Sequence, residues 1–215
     1  MPKPIKIAII DYKISNMFSI ENALSSLEYK SILTSVRKSI LEADCAILPG
    51  VGAFPEAMKH IRDLELEDTI NDFIKIGKPF IGICLGYQLL FDQSEEIELT
   101  SGLKILRGNV RRFSSSSMNM RIPHVGWNSL KIEKNNFLEN ELNPLSHLKT
   151  GDHLYFVHSY YVDPSEKDIV YTNTEYEGIT FCSSVIKDNI FACQFHPEKS
   201  GNKGLKIISS MLKNL

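Results

Sequence analysis

The chain contains 215 residues, of which 43% are hydrophobic and 23% are charged. This balance predicts one compact α/β domain over residues 1–215. The formal net charge is −2, and lysine and arginine are spread along the chain rather than clustered. Because phosphate-rich partners need concentrated positive charge, the composition argues against a nucleic acid or an anionic membrane as partner.

The sequence shows neither a membrane span nor an export signal. No apolar run approaches the roughly 20 residues that cross a bilayer. The N-terminal run, Met1–Asp11, has the pattern of a strand and contains no small-residue cleavage site, so a cytoplasmic protein is expected. There are no C-x-x-C pairs, no histidine clusters at metal spacing and no glycine pattern of a dinucleotide or P-loop site. We therefore predict no metal and no cofactor.

In the first half of the chain, strand patterns alternate with helix patterns. The predicted strands are Ile5–Asp11, Ala43–Leu48 and Pro79–Cys84, and the predicted helices are Met17–Leu27, Ala53–Ile76 with interruptions, and a helix that opens at Tyr87. Alternation of this kind is typical of a parallel sheet that is covered by helices on both faces.

The second half contains short strand patterns separated by Gly, Asn, Asp and Pro, and it ends in a helix. The predicted strands are Val110–Phe113, Ser129–Ile132, His153–Val162, Ile169–Thr174, Ile179–Ile186 and Ile190–Phe195, and the helix is Gly204–Leu215. The fold class is therefore α/β: an open, mostly parallel twisted sheet with helices on both faces and antiparallel strands in the second half. The serine run 114–117 is expected to be a loop.

One cysteine lies in a pattern that differs from those of the other three. Gly82-Ile83-Cys84-Leu85-Gly86 follows an apolar strand and precedes a helix, which is the thiol form of the G-x-S-x-G nucleophile elbow. The glycines allow the chain to pass close to itself at such a turn. The alternative is a tightly packed strand end without chemistry. Cys45, Cys182 and Cys193 lie in apolar runs and are expected to be buried, reduced thiols.

A cysteine nucleophile needs a base, and the base needs a group that orients it. His196 and Glu198 follow an apolar strand and are separated only by Pro197, so that both side chains can project from one strand edge. A carboxylate there would hold the imidazole tautomer beside a thiolate. Taken alone, His-Pro-Glu is compatible with a plain loop. Together with the elbow it predicts a Cys84, His196, Glu198 triad.

A third strand end carries glycines. The run Pro49-Gly50-Val51-Gly52 follows the second strand, and its backbone N–H groups are candidates to bind an anionic oxygen. It is equally compatible with an ordinary turn between a strand and a helix.

With these motifs the chain resembles the class I, or triad-type, glutamine amidotransferases, and among them the glutaminase subunits of imidazole glycerol phosphate synthases. The resemblance extends over essentially the whole chain. It rests on Pro49–Gly52, Gly82–Gln88, Arg121–Asn128, Tyr155–Tyr160 and His196–Ser200.

The resemblance implies a function for each of these motifs. Cys84 would attack the side-chain amide of glutamine, His196 would transfer protons, and Glu198 would orient His196. Backbone N–H groups at Leu85 and around Val51 would bind the oxyanion. Positions that hold the substrate would be Gly50, Val51, Gly52, Leu85, Gln88, Glu96, His158, Ser159 and Tyr160. Asn16, Trp127 and Lys199 would face the partner, a (β/α)8 cyclase that forms a heterodimer with the chain and receives the ammonia.

Some positions depart from the family pattern, and other functions stay open. Asp11–Asn16 replaces a turn that is usually glycine-rich near the partner face, and Tyr87 stands where methionine is commoner. The main alternative is the same glutaminase chemistry feeding a different synthase, such as one that aminates a surface-polysaccharide sugar. A non-catalytic binding module and a stand-alone γ-glutamyl hydrolase are further alternatives. Trp127, His124 and His158 each also allow a purely structural interpretation.

Overall fold

The structure, a computed structural model, describes residues 5–13, 17–114, 121–133 and 144–213. Asn16 and the serines at 115–117 lie outside the described residues. The strands are β1 (Ile7–Ile10), β2 (Ser31–Thr34), β3 (Cys45–Leu48), β4 (Phe80–Ile83), β5 (Gln93–Ser94), β6 (Thr100–Ser101), β7 (Gly108–Arg112), β8 (His124–Ser129), β9 (Lys131–Ile132), β10 (His153–His158), β11 (Tyr160–Pro164), β12 (Val170–Tyr176), β13 (Ile179–Lys187) and β14 (Ile190–Cys193).

The helices are α1 (Phe18–Ser26), α2 (Arg37–Leu41), α3 (Phe54–Asp63), α4 (Leu66–Lys75), α5 (Leu85–Leu89) and α6 (Gly201–Leu212), with a 3-10 turn at Pro197–Lys199. The interruption predicted in the second helix is the break between α3 and α4, where Glu65 adopts a left-handed conformation. Both helices bury an apolar stripe at helical spacing, as in Phe54, Ala57, Met58 and Ile61 of α3. None of the helices in the described ranges is long and apolar enough to cross a membrane.

The large sheet confirms the predicted fold class. Its strand order is β2-β1-β3-β4-β14-β13-β11-β7-β5-β6, and β12 pairs with β13 and β9. Strands β2, β1, β3, β4 and β14 run parallel, whereas β13, β11, β7 and β12 pair antiparallel. One apolar cluster includes Ala8, Phe54 and Leu90, and a second includes Ile9, Phe156 and Ile207. These are the two faces of a buried parallel sheet, because neighbouring residues of β1 point in opposite directions.

The structure corrects several predicted boundaries. The predicted strand Ser129–Ile132 is divided between the end of β8 and the separate strand β9, and the closing helix begins at Gly201 rather than at Gly204. The predicted strand His153–Val162 is two strands: β10 pairs with β8 in a separate two-stranded sheet, and β11 joins the large sheet. Ser159 lies between the two strands, and a continuous apolar pattern cannot reveal that the chain changes sheets there. The helix expected to open at Tyr87 already begins at Leu85, directly after Cys84.

The start of α5 lies against the end of β3. A Cβ atom at Gly86 would overlap the backbone carbonyl of Leu48. A Cβ atom at Gly50 would overlap the Tyr12 hydroxyl and would lie 2.8 Å from Cβ of Leu85. The two glycines therefore let the Cys84 turn and the segment after β3 approach each other at backbone distance.

We expect Gly86→Ala to destabilise the fold by more than about 3 kcal/mol, because backbone, not a flexible side chain, would have to move. The matched control is Gly77→Ala, where φ is +86° and nothing lies within 4 Å of the added Cβ, so that only backbone strain of about 1–2 kcal/mol is expected. Urea unfolding of both variants measures the difference. Equal destabilisation would contradict the close approach at Gly86.

Candidate active site

Three strand ends meet at one edge of the parallel sheet. β3, β4 and β14 are in register, with Leu48 opposite Gly82 and Ile83 opposite Cys193. The segment 49–52 follows β3, Cys84 follows β4, and His196 follows β14 by three residues. The Cys84 N–H donates to the carbonyl oxygen of Cys193 at 2.8 Å, which ties the elbow to the neighbouring strand. The carboxyl edge of a parallel sheet is where ligands of α/β proteins bind.

Cys84 has the strained backbone that a nucleophile elbow requires. Its φ is 54° and its ψ is −110°, a conformation that residues with a side chain rarely adopt. The Cys84 Sγ atom lies 3.8 Å from the carbonyl oxygen of Val157 and 3.6 Å from Nε2 of Gln194. The other cysteines are buried and free. Burial raises the pKa of Cys182 to about 12, and it also raises the pKa values of Cys45 and Cys193 above their usual range.

His196 and Glu198 form a buried pair beside Cys84. Nδ1 of His196 lies 2.7 Å from Oε1 of Glu198, and the side chains are 3% and 4% exposed. The backbone N–H of His196 donates to the carbonyl oxygen of Tyr155 at 2.9 Å. This bond holds the His196 backbone against β10. Nε2 of His196 has no hydrogen-bond partner among the described residues. That nitrogen is therefore the one available for proton transfer.

The charge state of His196 follows from its surroundings. Burial acts to lower the pKa of His196, but the negative charge of Cys84 and the Glu198 carboxylate together raise it to about 10. At neutral pH the arrangement therefore favours the imidazolium form of His196. An imidazolium there can supply the proton that a leaving amine needs.

A cavity of about 230 Å³ opens at this edge of the sheet, large enough for an amino acid. The residues that line it are Val51, Gly52, Cys84, Leu85, Gln88, Glu96, Pro123, Val157, His158, Ser159, Tyr160 and His196. Most of the predicted substrate-binding residues thus surround one space. Gly50 lies behind the wall, against Tyr12 and Leu85, and Glu198 lies behind His196.

One of the expected oxyanion donors is already engaged. The Leu85 N–H donates to the carbonyl oxygen of Gly50 at 3.4 Å, a long hydrogen bond. The preceding carbonyl, that of Pro49, accepts a 2.8 Å bond from the buried Tyr12 hydroxyl. In this arrangement the Gly50 carbonyl, which is an acceptor, occupies the Leu85 N–H that an oxyanion would need as a donor.

Two polar side chains of the cavity are held by neighbours. Nε2 of Gln88 donates to the carbonyl oxygen of Tyr160 at 3.0 Å and to Oε1 of Gln194 at 2.9 Å. Oε2 of Glu96 accepts the Phe54 N–H at 2.7 Å, and burial raises the pKa of Glu96 despite that bond.

Sequence reasoning missed Gln194, which is fully buried and contacts both Gln88 and Cys84. A signal existed, because Gln194 lies two residues before His196 and follows the end of the same strand.

Two of the three residues predicted to face a partner, Trp127 and Lys199, do not line the cavity. Trp127 is 56% exposed on β8, so it is not a core residue. Lys199 is exposed at the end of the 3-10 turn that carries Glu198. Asn16 is outside the described residues.

The His196 pKa provides a test of this geometry. Because the raised value depends on neighbouring negative charge, both Cys84→Ala and Glu198→Gln should lower it, and Cys84→Ala should lower it more. Since folding raises this pKa, the charged pair stabilises the native state at low pH, and that stabilisation declines as the pH rises toward about 10. NMR titration of the His196 ring measures the pKa in each variant. A pKa that neither substitution changes would contradict the proximity of the three groups.

Comparison with known proteins agrees with this geometry. Residues 8–214 match the family model described as glutamine amidotransferase class-I. A protein of Caldanaerobacter subterraneus subsp. tengcongensis, named imidazole glycerol phosphate synthase subunit HisH, is 49% identical over 205 residues, which cover 95% of this chain and 96% of that protein. The Aquifex aeolicus protein of the same name is 45% identical over 203 residues, which cover 94% of this chain and 93% of that one.

Solved structures show the same fold at low sequence identity. The structure of PurLQS from Thermotoga maritima superposes with a TM-score of 0.73 at 18% identity and covers 99% of both chains. A crystal structure described as a glutamine amidotransferase superposes with a TM-score of 0.71 at 16% identity, over 96% of this chain and 97% of that one. The chain therefore belongs to the class-I glutamine amidotransferase family, and within it to the group that contains these HisH subunits.

Proposed function

We propose that this chain is the glutaminase subunit of an imidazole glycerol phosphate synthase. It releases ammonia from glutamine and passes it to a (β/α)8 cyclase subunit that makes imidazole glycerol phosphate and aminoimidazole carboxamide ribotide in histidine biosynthesis. The observation that carries the proposal is the convergence of Cys84 and His196 on one amino-acid-sized cavity, with Glu198 bonded to His196 at 2.7 Å. The HisH relatives, at 45% and 49% identity over nearly the whole chain, support the pathway.

The proposed reaction has two halves. The Cys84 thiolate attacks the amide carbon of glutamine, and the negative charge moves to the amide oxygen. His196 donates the Nε2 proton to the departing nitrogen, which leaves as ammonia, and a γ-glutamyl thioester remains. Water then attacks the thioester while His196 takes up a proton from it, and glutamate is released as the thiolate re-forms. Glu198 keeps the Nδ1 side of the ring bonded throughout.

The cavity contains groups that suit both ends of glutamine. Glu96 provides a carboxylate for the α-amino group, and Ser159 and Tyr160 line the same cavity as Cys84. Gln88 is already fixed by Tyr160 and Gln194, so its amide oxygen is oriented before the substrate arrives. Preorganisation of this kind favours one substrate pose.

The occupied donor at Leu85 supports a gated enzyme. While the Gly50 carbonyl accepts the Leu85 N–H, that donor is not available to the developing oxyanion. Loss of one oxyanion donor weakens catalysis by roughly 10²–10³-fold. Rotation of the Gly50–Val51 peptide would release it, and the glycines at positions 50 and 52 make this rotation sterically cheap. Gly52 already has a φ of 99°.

The proposed partner surface is formed by β8 and the 3-10 turn. Val125 and Trp127, both more than half exposed, provide apolar area on β8, and Lys199 provides charge one residue after Glu198. Lys13, which replaces a usual glycine, has a φ of 68°, so that the backbone keeps a conformation that suits glycine.

We expect the isolated chain to bind glutamine but to hydrolyse it slowly. The cyclase with its acceptor substrate should raise kcat by roughly 10²–10³-fold, the effect of one restored oxyanion donor, and should change KM much less. Lys199→Ala should reduce this activation while leaving the isolated chain unchanged, because Lys199 lies outside the cavity. Steady-state glutaminase kinetics with and without the cyclase measure both effects.

Cys84→Ala is the control for the chemistry, and it should abolish turnover in the isolated chain and in the complex. Full activity of the isolated wild type, unaffected by a cyclase, would contradict the gated subunit and leave a plain hydrolase. Activation by a sugar-aminating synthase instead of a cyclase would show that the chain supplies ammonia for surface-polysaccharide modification and not for histidine biosynthesis.

A further inference from the structure

Two buried histidines, one in the cavity wall and one behind it, are joined by a hydrogen bond. Nδ1 of His124 on β8 lies 3.0 Å from Nε2 of His158 on β10, and the two residues are opposite each other in the β8–β10 pairing. His158 lines the cavity, whereas His124 does not. His124 is 3% exposed and His158 is 6% exposed.

The partners of the two rings fix where the protons are. Nδ1 of His158 lies 2.8 Å from the carbonyl oxygen of Tyr160, which can only accept, so this nitrogen carries the proton. In a neutral His158, Nε2 is then an acceptor, and Nδ1 of His124 must be the donor. The remaining nitrogen of His124, Nε2, accepts from Nδ2 of Asn128 at 3.3 Å. Both rings are thus neutral with the proton on Nδ1.

The surroundings of the pair favour its neutral form. Burial, together with the nearby His124 and His196, lowers the pKa of His158 to about 3, although the bond to the Tyr160 carbonyl opposes this change. Burial lowers the pKa of His124 to about 4. His124 stacks on Tyr176 and Phe156 with ring centroids 4.0 and 5.1 Å apart. Because neither nitrogen of His158 is free, His158 does not compete with His196 as the base.

One carbonyl oxygen links His158 to Gln88, which is a predicted substrate-binding residue. The Tyr160 carbonyl accepts both from Nδ1 of His158 and from Nε2 of Gln88. If His158 turned or changed tautomer, this carbonyl would lose one of its two donors, and the Gln88 amide would lose a fixed anchor. The donor that prevents this is the Nδ1–H of His124.

We propose that His124 is a positioning residue for glutamine binding: it holds His158 in the Nδ1–H tautomer and thereby fixes the Tyr160 carbonyl and Gln88 at the cavity wall. The inference rests on the proposed glutaminase function for the identity of the ligand. It assigns no proton transfer to His124, which acts through His158.

The first test measures glutamine affinity by calorimetry on a Cys84→Ala background, where no turnover occurs. His124→Phe retains an aromatic ring for stacking but cannot donate, so His158 keeps an unsatisfied buried acceptor, and we expect the Kd to rise roughly tenfold or more. His124→Asn carries an N–H donor near the position of Nδ1 and should restore much of the affinity. His153→Phe, the same change at an exposed histidine of β10, is the matched control and should have no effect.

If the role of His124 were purely structural, His124→Asn would weaken glutamine binding more than His124→Phe, because Phe preserves packing better than Asn does. An unchanged Kd in His124→Phe, or a weaker Kd in His124→Asn than in His124→Phe, would overturn the proposal. Absence of turnover by the wild-type complex would instead refute the proposed function.

The second test needs no variant that might fail to fold. Long-range ¹H–¹⁵N spectra of the histidine-labelled wild-type chain report the tautomer of each ring. We expect His124 and His158 to be neutral with Nδ1 protonated throughout the neutral pH range, and His196 to be an imidazolium. An Nε2–H tautomer or a positive charge on either His124 or His158 would contradict the proposal.

Discussion

The site depends on the parallel pairing of β4 with β14, two strands that are 110 residues apart at Cys84 and Gln194. This pairing places Cys84 and His196 at the same sheet edge, and the bond from the Cys84 N–H to the Cys193 carbonyl holds the strained elbow on its neighbour. The close approach of Gly86 to Leu48 then brings the end of β3 next to the Cys84 turn. The proposed nucleophile, base and oxyanion segment therefore follow the ends of three neighbouring strands of one sheet, and the bond from the His196 N–H to Tyr155 on β10 adds a contact from the second sheet.

The site combines a complete set of reacting groups with an incomplete oxyanion site. His196 is bonded to Glu198 and has a free Nε2, so the groups for proton transfer are in place. In contrast, the Leu85 N–H is occupied by the Gly50 carbonyl. In the proposed gating, rotation of a single peptide separates the resting from the active arrangement. For an enzyme whose product is a diffusible base, we propose that control at this point keeps hydrolysis slow until a synthase is docked.

Local sequence patterns predicted the part of the fold that depends on local chemistry. The alternation of strands and helices predicted the parallel half. The glycines around Cys84 predicted the elbow, and of these Gly86 permits the close backbone contact with Leu48. The change of sheet at Ser159 and the His124–His158 bond could not be predicted in this way. Both depend on β8 pairing with β10 across about 30 residues, and no spacing in the sequence specifies that register. Gln194 was missed because its position two residues before His196 is its only local signal, and its contacts with Gln88 and Cys84 depend on the pairing of β4 with β14.

The most direct measurement is the structure of the complex with the cyclase after Cys84 has been trapped as a γ-glutamyl adduct. We propose that the resting chain lacks an oxyanion donor because the Gly50 carbonyl occupies the Leu85 N–H. In the complex we therefore expect the Leu85 nitrogen to lie within about 3.1 Å of the adduct's oxyanion position and the Gly50 carbonyl to have turned away. A complex in which the Leu85 N–H still donates to Gly50, at full glutaminase activity, would contradict this gating.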